Sequence, residues 1–194
     1  MSLAKKIKSV KGASLLELLV SIGLFSILIL SAMQIFKMAV DGQRGSISTQ
    51  NVQENMRYAM EKMSKEIRMA RISNHDCETM FNPPQSAVFK VFNTADANSI
   101  LYFKNQYGYC VVYYLDNNRL KIMAETATVP VTAFITPAKV EVSNLKFYTD
   151  DDLIGGLAST QPYVTMVMDV KAVGLAIHEQ KMKIQTTVSS RYYE

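Results

Sequence analysis

The sequence contains an uncharged, mostly apolar run of nineteen residues, which begins at Leu18 and ends at Phe36. As an α-helix with a rise of about 1.5 Å per residue, this run is roughly 28 Å long, which is close to the apolar thickness of a lipid bilayer. The run therefore predicts a single helix that spans a membrane.

The charges before the run predict its orientation. Four lysines and no acidic residue precede Gly12: Lys5, Lys6, Lys8 and Lys11. By the positive-inside rule, they place the N-terminus in the cytoplasm and the rest of the chain across the membrane. They also account for the whole formal charge of +4, because the chain has 21 basic and 17 acidic residues. The positive charge is thus confined to the N-terminal segment, and no nucleic-acid partner is predicted.

A secretory signal peptide is the main alternative for an apolar run near the N-terminus. Such a peptide has a shorter apolar region, followed by a cleavage site with small residues at its first and third positions. The tripeptides at 30–32 and 37–39 end in alanine but begin with Leu30 and Lys37. We therefore expect the helix to be retained in the mature protein. A single-span anchor that is never cleaved is a stronger alternative than a secretory signal peptide.

One carboxylate, Glu17, lies at the start of the apolar run, where a charge in lipid costs a few kcal/mol. It follows Gly12, which ends the basic segment, and the four residues Ala13, Ser14, Leu15 and Leu16. This combined pattern resembles the class III signal of type IV pilins and type II secretion pseudopilins. Ala13 and Ser14 depart from the Phe and Thr that are most common in that family.

The resemblance implies that a prepilin peptidase cuts between Gly12 and Ala13 and methylates the new amine of Ala13. It also implies that the apolar helix stays on the mature protein and that Glu17 meets the N-terminal ammonium of a neighbouring subunit. A charge that is costly alone becomes tolerable when it is paired in a medium of low dielectric constant. The alternative is that Glu17 reaches towards the headgroups at the cytoplasmic interface.

The helical pattern continues beyond the apolar run. Apolar residues recur at intervals of three and four along one stripe: Val52, Met56, Ala59, Met63, Ile67 and Ala70. This spacing is typical of one face of a helix, and its methionines are expected to pack in a core. Residues 41–48, which include Gly42 and Gly45, are predicted to form a weak joint in the helix, with a loop as the alternative.

Strand patterns replace the helical pattern after Ser73. Aromatic and β-branched residues alternate with polar ones at residues 86–92, 99–104, 110–115, 119–124, 139–149, 163–173 and 181–191. The residues between the third and fourth of these segments, Asp116 to Asn118, are typical of a turn. The sequence predicts an α+β fold, in which a long N-terminal membrane-spanning helix packs on an antiparallel β-sheet domain.

Three segments beyond the leader resemble minor pilins of the PilW type and minor pseudopilins of the GspJ type. They are "MRYAMEKMSKEIRMAR" (56–71), "VVYYLDNNRLK" (111–121) and "MKIQTTVSSR" (182–191). The resemblance implies a minor subunit that initiates or caps a type IV pilus or a type II secretion pseudopilus. Its implied partners are other minor pilins or pseudopilins, the prepilin peptidase, the inner-membrane assembly platform and the membrane. A major filament subunit and a membrane-anchored binding domain that does not polymerise are the alternatives.

The resulting domain division is a cleaved leader at 1–12, a long helix at 13–72 and a β-rich domain at 73–194. The helix has an apolar transmembrane half at 13–36 and an amphipathic half at about 48–72. We expect a single-pass protein of the inner (cytoplasmic) membrane with its globular domain in the periplasm or outside the cell, incorporated in a pilus or pseudopilus.

The two cysteines, Cys77 and Cys110, both follow the membrane run. On an oxidising side of the membrane they are expected to form a disulfide, which would tie the end of the helix to the sheet. The alternative is two separate buried thiols.

The sequence contains no motif that predicts catalysis, a cofactor or a transition-metal site. The two histidines, His75 and His178, have no second strong ligand at a recognised spacing. Asp150, Asp151 and Asp152 are a weak calcium candidate, and a solvated turn is the simpler interpretation.

Overall fold

The computed structural model describes residue 12 and residues 14–73, 77, 87–94, 98–125, 129–150, 153–154, 157–158, 161–173 and 181–191. Within these residues the chain forms one α-helix followed by ten strands. The chain divides into two compact units, residues 1–43 and residues 44–194. The helix and the antiparallel sheets confirm the predicted α+β class.

The helix α1, Leu15–Arg68, is 54 residues long. Residues 41–48 are helical, so the alternative of a loop after the apolar run is wrong. The division between the two units falls after Gln43, between the two glycines of this segment. Basic side chains, Lys65 and Arg68, lie in the last turn, where they interact favourably with the negative end of the helix dipole.

The ten strands follow in chain order. They are β1 Phe89–Asn93, β2 Ser99–Lys104, β3 Cys110–Asp116, β4 Arg119–Glu125, β5 Pro130–Phe134, β6 Val140–Asp150, β7 Leu153–Ile154, β8 Leu157–Ala158, β9 Tyr163–Ala172 and β10 Lys181–Ser189. All pairings are antiparallel.

Strands β1 to β5 form a five-stranded sheet in chain order, and β10, β9 and β6 form a three-stranded sheet with β9 in the centre. Strands β7 and β8 form a separate two-stranded sheet within the described residues. Asn117 and Asn118 make the two-residue turn between β3 and β4, with φ angles of 49° and 56°. Asparagine tolerates this left-handed conformation, which the common two-residue hairpin turn requires.

The core of residues 44–194 lies between the apolar stripe of α1 and the sheets. Met63 and Ile67 of α1 are fully buried, in one apolar cluster with Phe103 of β2 and Met166 of β9. The rings of Phe103 and Tyr113 stack with centroids 5.7 Å apart. The methionines of the stripe are thus core residues, as their spacing predicts.

The chain that follows α1 is also held to the sheets. The N–H of Arg71 donates to the C=O of Lys104 on β2 at 2.8 Å, and the N–H of Arg191, beyond β10, donates to the C=O of Arg68 at 2.8 Å. The bond from Arg191 satisfies one of the last carbonyls of the helix, which lack partners within it. The bond from Arg71 joins the segment after the helix to β2.

Candidate assembly site

The candidate site is the first turn of α1 and the apolar surface that follows it. The N–H of Leu18 donates to the C=O of Ser14 at 3.1 Å, so the helix begins directly after Ser14. Glu17 lies in this first turn, where the positive end of the helix dipole favours a carboxylate. The Glu17 side chain is exposed, and no ion pair or hydrogen bond to its carboxylate is present among the described residues.

The apolar run forms the surface of the helix in residues 1–43. Its large apolar side chains are between 38% exposed, at Ile29, and 72% exposed, at Phe36. Among the described residues, α1 is the one helix that is long and apolar enough to cross a membrane, and none of its most apolar window is buried. A contiguous apolar surface of this size is typical of a segment that lies in lipid or against other helices.

The serines of the apolar run do not leave unpaired hydroxyl groups on this surface. Ser21, Ser26 and Ser31 each donate to the backbone carbonyl four residues earlier, at 2.7, 2.8 and 2.9 Å. Because polar groups in lipid must be satisfied within the protein, this arrangement lowers the cost of placing the helix in a bilayer. Glu17 is then the one charged side chain from residue 14 to residue 36.

The cleavage site predicted from the sequence is described only in part. Gly12 is exposed, whereas Ala13 and the lysine-rich segment before Gly12 lie outside the described residues. A Cβ atom added to Gly12 would meet no other atom within 4 Å, and the φ angle of Gly12 is not left-handed. The folded chain therefore does not itself require glycine at this position.

Cys77 and Cys110 form a disulfide with a Cα–Cα distance of 5.8 Å. Both residues are buried, and Tyr102 of β2 packs against them. The bond joins the segment after α1 to the first residue of β3, which is the connection expected from the sequence. In the chain-entropy model, a closed loop of this length stabilises the fold by about 3–4 kcal/mol.

The part of the chain that the structure describes contains no cluster of three or more metal-ligating side chains. Asp150, at the end of β6, is exposed, and the other two members of the weak calcium candidate, Asp151 and Asp152, lie outside the described residues. Both histidines, His75 and His178, also lie outside the described residues.

A buried contact between α1 and β3 was not predicted from the sequence. The Tyr113 hydroxyl, on a side chain that is 0% exposed, donates to Oε2 of Glu66 at 2.6 Å. Burial is the main cause that raises the pKa of Tyr113 above its ordinary value, and the Glu66 charge and hydrogen bond raise it further. The two residues are 47 positions apart, and no local spacing indicates the contact.

The fold and the site together define a chain with one apolar N-terminal helix, compatible with a single membrane span, and a disulfide-bonded α+β domain. This architecture is compatible with that of pilins. In comparisons with family models, curated proteins and solved structures, no significant match to the chain was found.

Proposed function

We propose that this protein is a minor pilin or pseudopilin, a structural subunit that initiates or caps assembly of a type IV pilus or a type II secretion pseudopilus. In this proposal the chain has no catalytic role, and it acts through contacts with other subunits. Its partners are other minor subunits, the prepilin peptidase, the assembly platform and the inner membrane.

The observation that carries the proposal is the position of Glu17. Its carboxylate is exposed in the first turn of a helix whose next nineteen residues are uncharged. A bilayer or a helix bundle around this turn makes an unpaired carboxylate costly, because removing a charge from water requires compensation. An ammonium group on a neighbouring subunit supplies that compensation, and the helix then gains a fixed axial register.

The apolar surface supports the same proposal. A membrane-embedded monomer covers this surface with lipid, and an assembled subunit covers it with the helices of its neighbours. Packing between apolar helices does not require a polar motif, since van der Waals contact and helix–helix complementarity drive association.

Gly12 provides a further supporting observation. Its position is sterically open and its backbone conformation is accessible to other residues, so the fold does not explain the glycine. Recognition by a peptidase that needs an extended, unobstructed backbone at the cut explains it. Cleavage there would create the Ala13 amine that pairs with Glu17.

The substitution Glu17→Val tests the pairing. We expect the variant to insert into the membrane as the wild type does, because a charge has been replaced by an apolar side chain. Its fraction in assembled complexes should fall about tenfold or more, since the partner ammonium loses its counter-ion. The measurement is the ratio of chain cross-linked to other subunits to chain in the membrane, in cells that carry the assembly machine.

Ser26→Val is the matched control, because it introduces the same side chain into the same helix without removing a charge. Its assembled fraction should equal that of the wild type. Wild-type assembly of Glu17→Val would contradict the proposed role of the carboxylate.

A further inference from the structure

Strand β5 is the edge of the five-stranded sheet, and it pairs with β4 on one side. All five of its residues are exposed, including Val131 at 57% and Phe134 at 42%. Edge strands in soluble proteins are normally protected, because their unpaired backbone groups can bind another strand.

The hydrogen bonds to β4 determine which backbone groups of β5 point outwards. The N–H of Ile135 donates to the C=O of Leu120 at 2.8 Å, and these two residues are opposite each other in the register that continues from β4 and β5. Hydrogen-bonded pairs alternate along an antiparallel ladder. The residues that direct their backbone groups towards β4 are therefore Val131, Ala133 and Ile135.

The remaining residues of β5, Pro130, Thr132 and Phe134, direct their backbone groups away from the sheet. Thr132 and Phe134 each present an N–H and a C=O, and Pro130 presents a C=O alone. Among the described residues no hydrogen bond to these outward groups is present. With respect to the described part of the chain, this edge is therefore open for the addition of a strand.

The composition of β5 differs from that of the other edge strands of the two larger sheets. β1 contains Lys90, β10 contains Lys181 and Lys183, and β6 contains Glu141 and Lys146. Charged side chains of this kind disfavour pairing with a further strand. β5, with the sequence PVTAF, has no charged residue.

We propose that the outer edge of β5 binds the same edge of a second copy of this chain, in an antiparallel arrangement with a two-fold axis at Thr132. In this register each Thr132 N–H donates to the C=O of the other Thr132. Each Phe134 N–H donates to the C=O of Pro130 in the second copy. All outward N–H groups are then paired, and the missing N–H of Pro130 sets the end of the ladder.

The charges around β5 favour a second copy as the occupant. Glu125 of β4 lies opposite Pro130, and Lys121 lies opposite Phe134. In the two-fold arrangement, a row of opposite residues crosses four strands: Lys121 and Phe134 of one copy, then Pro130 and Glu125 of the other. A second row contains the same residues in the reverse order. Each row therefore has a lysine at one end and a glutamate at the other. The two charges of each row are three strand spacings apart, about 14 Å, so their attraction is weak but has the favourable sign.

The residue at the two-fold axis meets itself, so a charge there would be repelled by its own copy. Thr132 is uncharged, and threonine pairs are favourable across antiparallel strands. The interface is therefore self-complementary, as a two-fold interface must be.

Cysteine cross-linking of the full-length chain in membranes tests this pairing. Opposite residues of a hydrogen-bonded pair have Cα atoms about 5.5 Å apart, which is within the range for a disulfide. Thr132→Cys should therefore form a disulfide-linked dimer under mild oxidation. Thr187→Cys, on the exposed face of β10, is the control and should remain monomeric. Equal dimer yields for the two variants, or cross-linking of Thr132→Cys only to a different protein, would overturn the proposal.

A charge-swap experiment tests the two-fold axis independently. Chains with Thr132→Lys or Thr132→Glu should each lose the dimer, because like charges then face each other. Co-expression of the two, each with its own affinity tag, should restore a mixed dimer that co-purifies. Absence of the mixed dimer would contradict self-pairing at this residue. Because Glu17 remains intact in all these chains, failure of this experiment is distinguishable from failure of the assembly proposal.

Discussion

Tyr113 shows how one residue links the helix to the sheet. Its ring stacks on Phe103 within the core, and its hydroxyl reaches the half-buried carboxylate of Glu66 on α1. A hydrogen bond to a charged acceptor contributes more to stability than a neutral one. The bond therefore fixes the rotation of α1 over the five-stranded sheet as well as satisfying a buried hydroxyl.

The substitution Tyr113→Phe removes this bond while keeping the ring. We expect the free energy of unfolding of the disulfide-bonded domain to fall by about 1.5 kcal/mol at neutral pH. Denaturant titration of the full-length chain in detergent measures this free energy of unfolding. Tyr107→Phe is the control, because Tyr107 is 74% exposed and its loss should change the free energy of unfolding by less than about 0.5 kcal/mol. Equal effects for the two variants would contradict the role of the bond.

The same pair predicts a pH dependence in alkaline solution. Because the pKa of Tyr113 is raised in the folded state, the folded chain holds the phenolic proton more tightly than the unfolded chain does. The resulting stabilisation is complete below pH of about 10, the ordinary value for tyrosine, and it declines as the pH rises further. The stability difference between wild type and Tyr113→Phe should therefore shrink above pH of about 10.

At the scale of elements, the sequence predicts the strands that are rich in aromatic and β-branched residues. Burial alternates along β2, whereas the first four residues of β3 are all buried. β2 has the predicted bounds, and β3 and β4 each extend one residue further than predicted. β5 was missed because all its residues are exposed, so no alternation is present, and because it begins with Pro130. The two-residue strands β7 and β8 are too short for any periodic pattern.

The disulfide contributes to stability at the same scale, because it closes the chain between the end of α1 and β3. Replacing both cysteines, Cys77→Ala with Cys110→Ala, should lower the free energy of unfolding of the domain by about 3 kcal/mol. The measurement is the denaturant midpoint with and without a thiol reductant. Reductant should lower the midpoint of the wild type and leave that of the double variant unchanged. A wild-type midpoint insensitive to complete reduction would contradict this contribution.

At the scale of the whole molecule, the two units bury their apolar residues in different ways. The unit of residues 44–194 has a closed core, with Met63, Phe103 and Met166 buried to 0% exposure. In the unit of residues 1–43, the large apolar side chains from Leu15 to Met38 are exposed. The unit of residues 44–194 is thus suited to an aqueous compartment, and the unit of residues 1–43 requires lipid or other helices around it.

The fold of a single chain does not contain the partner that we propose for Glu17. The sequence predicts that a carboxylate at this point needs a counter-ion, because nineteen uncharged residues follow it. No described residue of the same chain supplies one. The proposed counter-ion is the amine of Ala13 on another subunit, and it exists only after cleavage. Pairing between chains is therefore a prediction about the assembled protein.

The state of the N-terminus in the membrane tests the central claim most directly. Mass spectrometry of the full chain, extracted from membranes of cells with an active prepilin peptidase, should give a mature protein that begins at a methylated Ala13 and retains the apolar helix. Gly12→Val should give the uncut precursor, and Gly42→Val should be processed normally. A wild-type chain that keeps its lysine-rich segment in these cells would contradict the account.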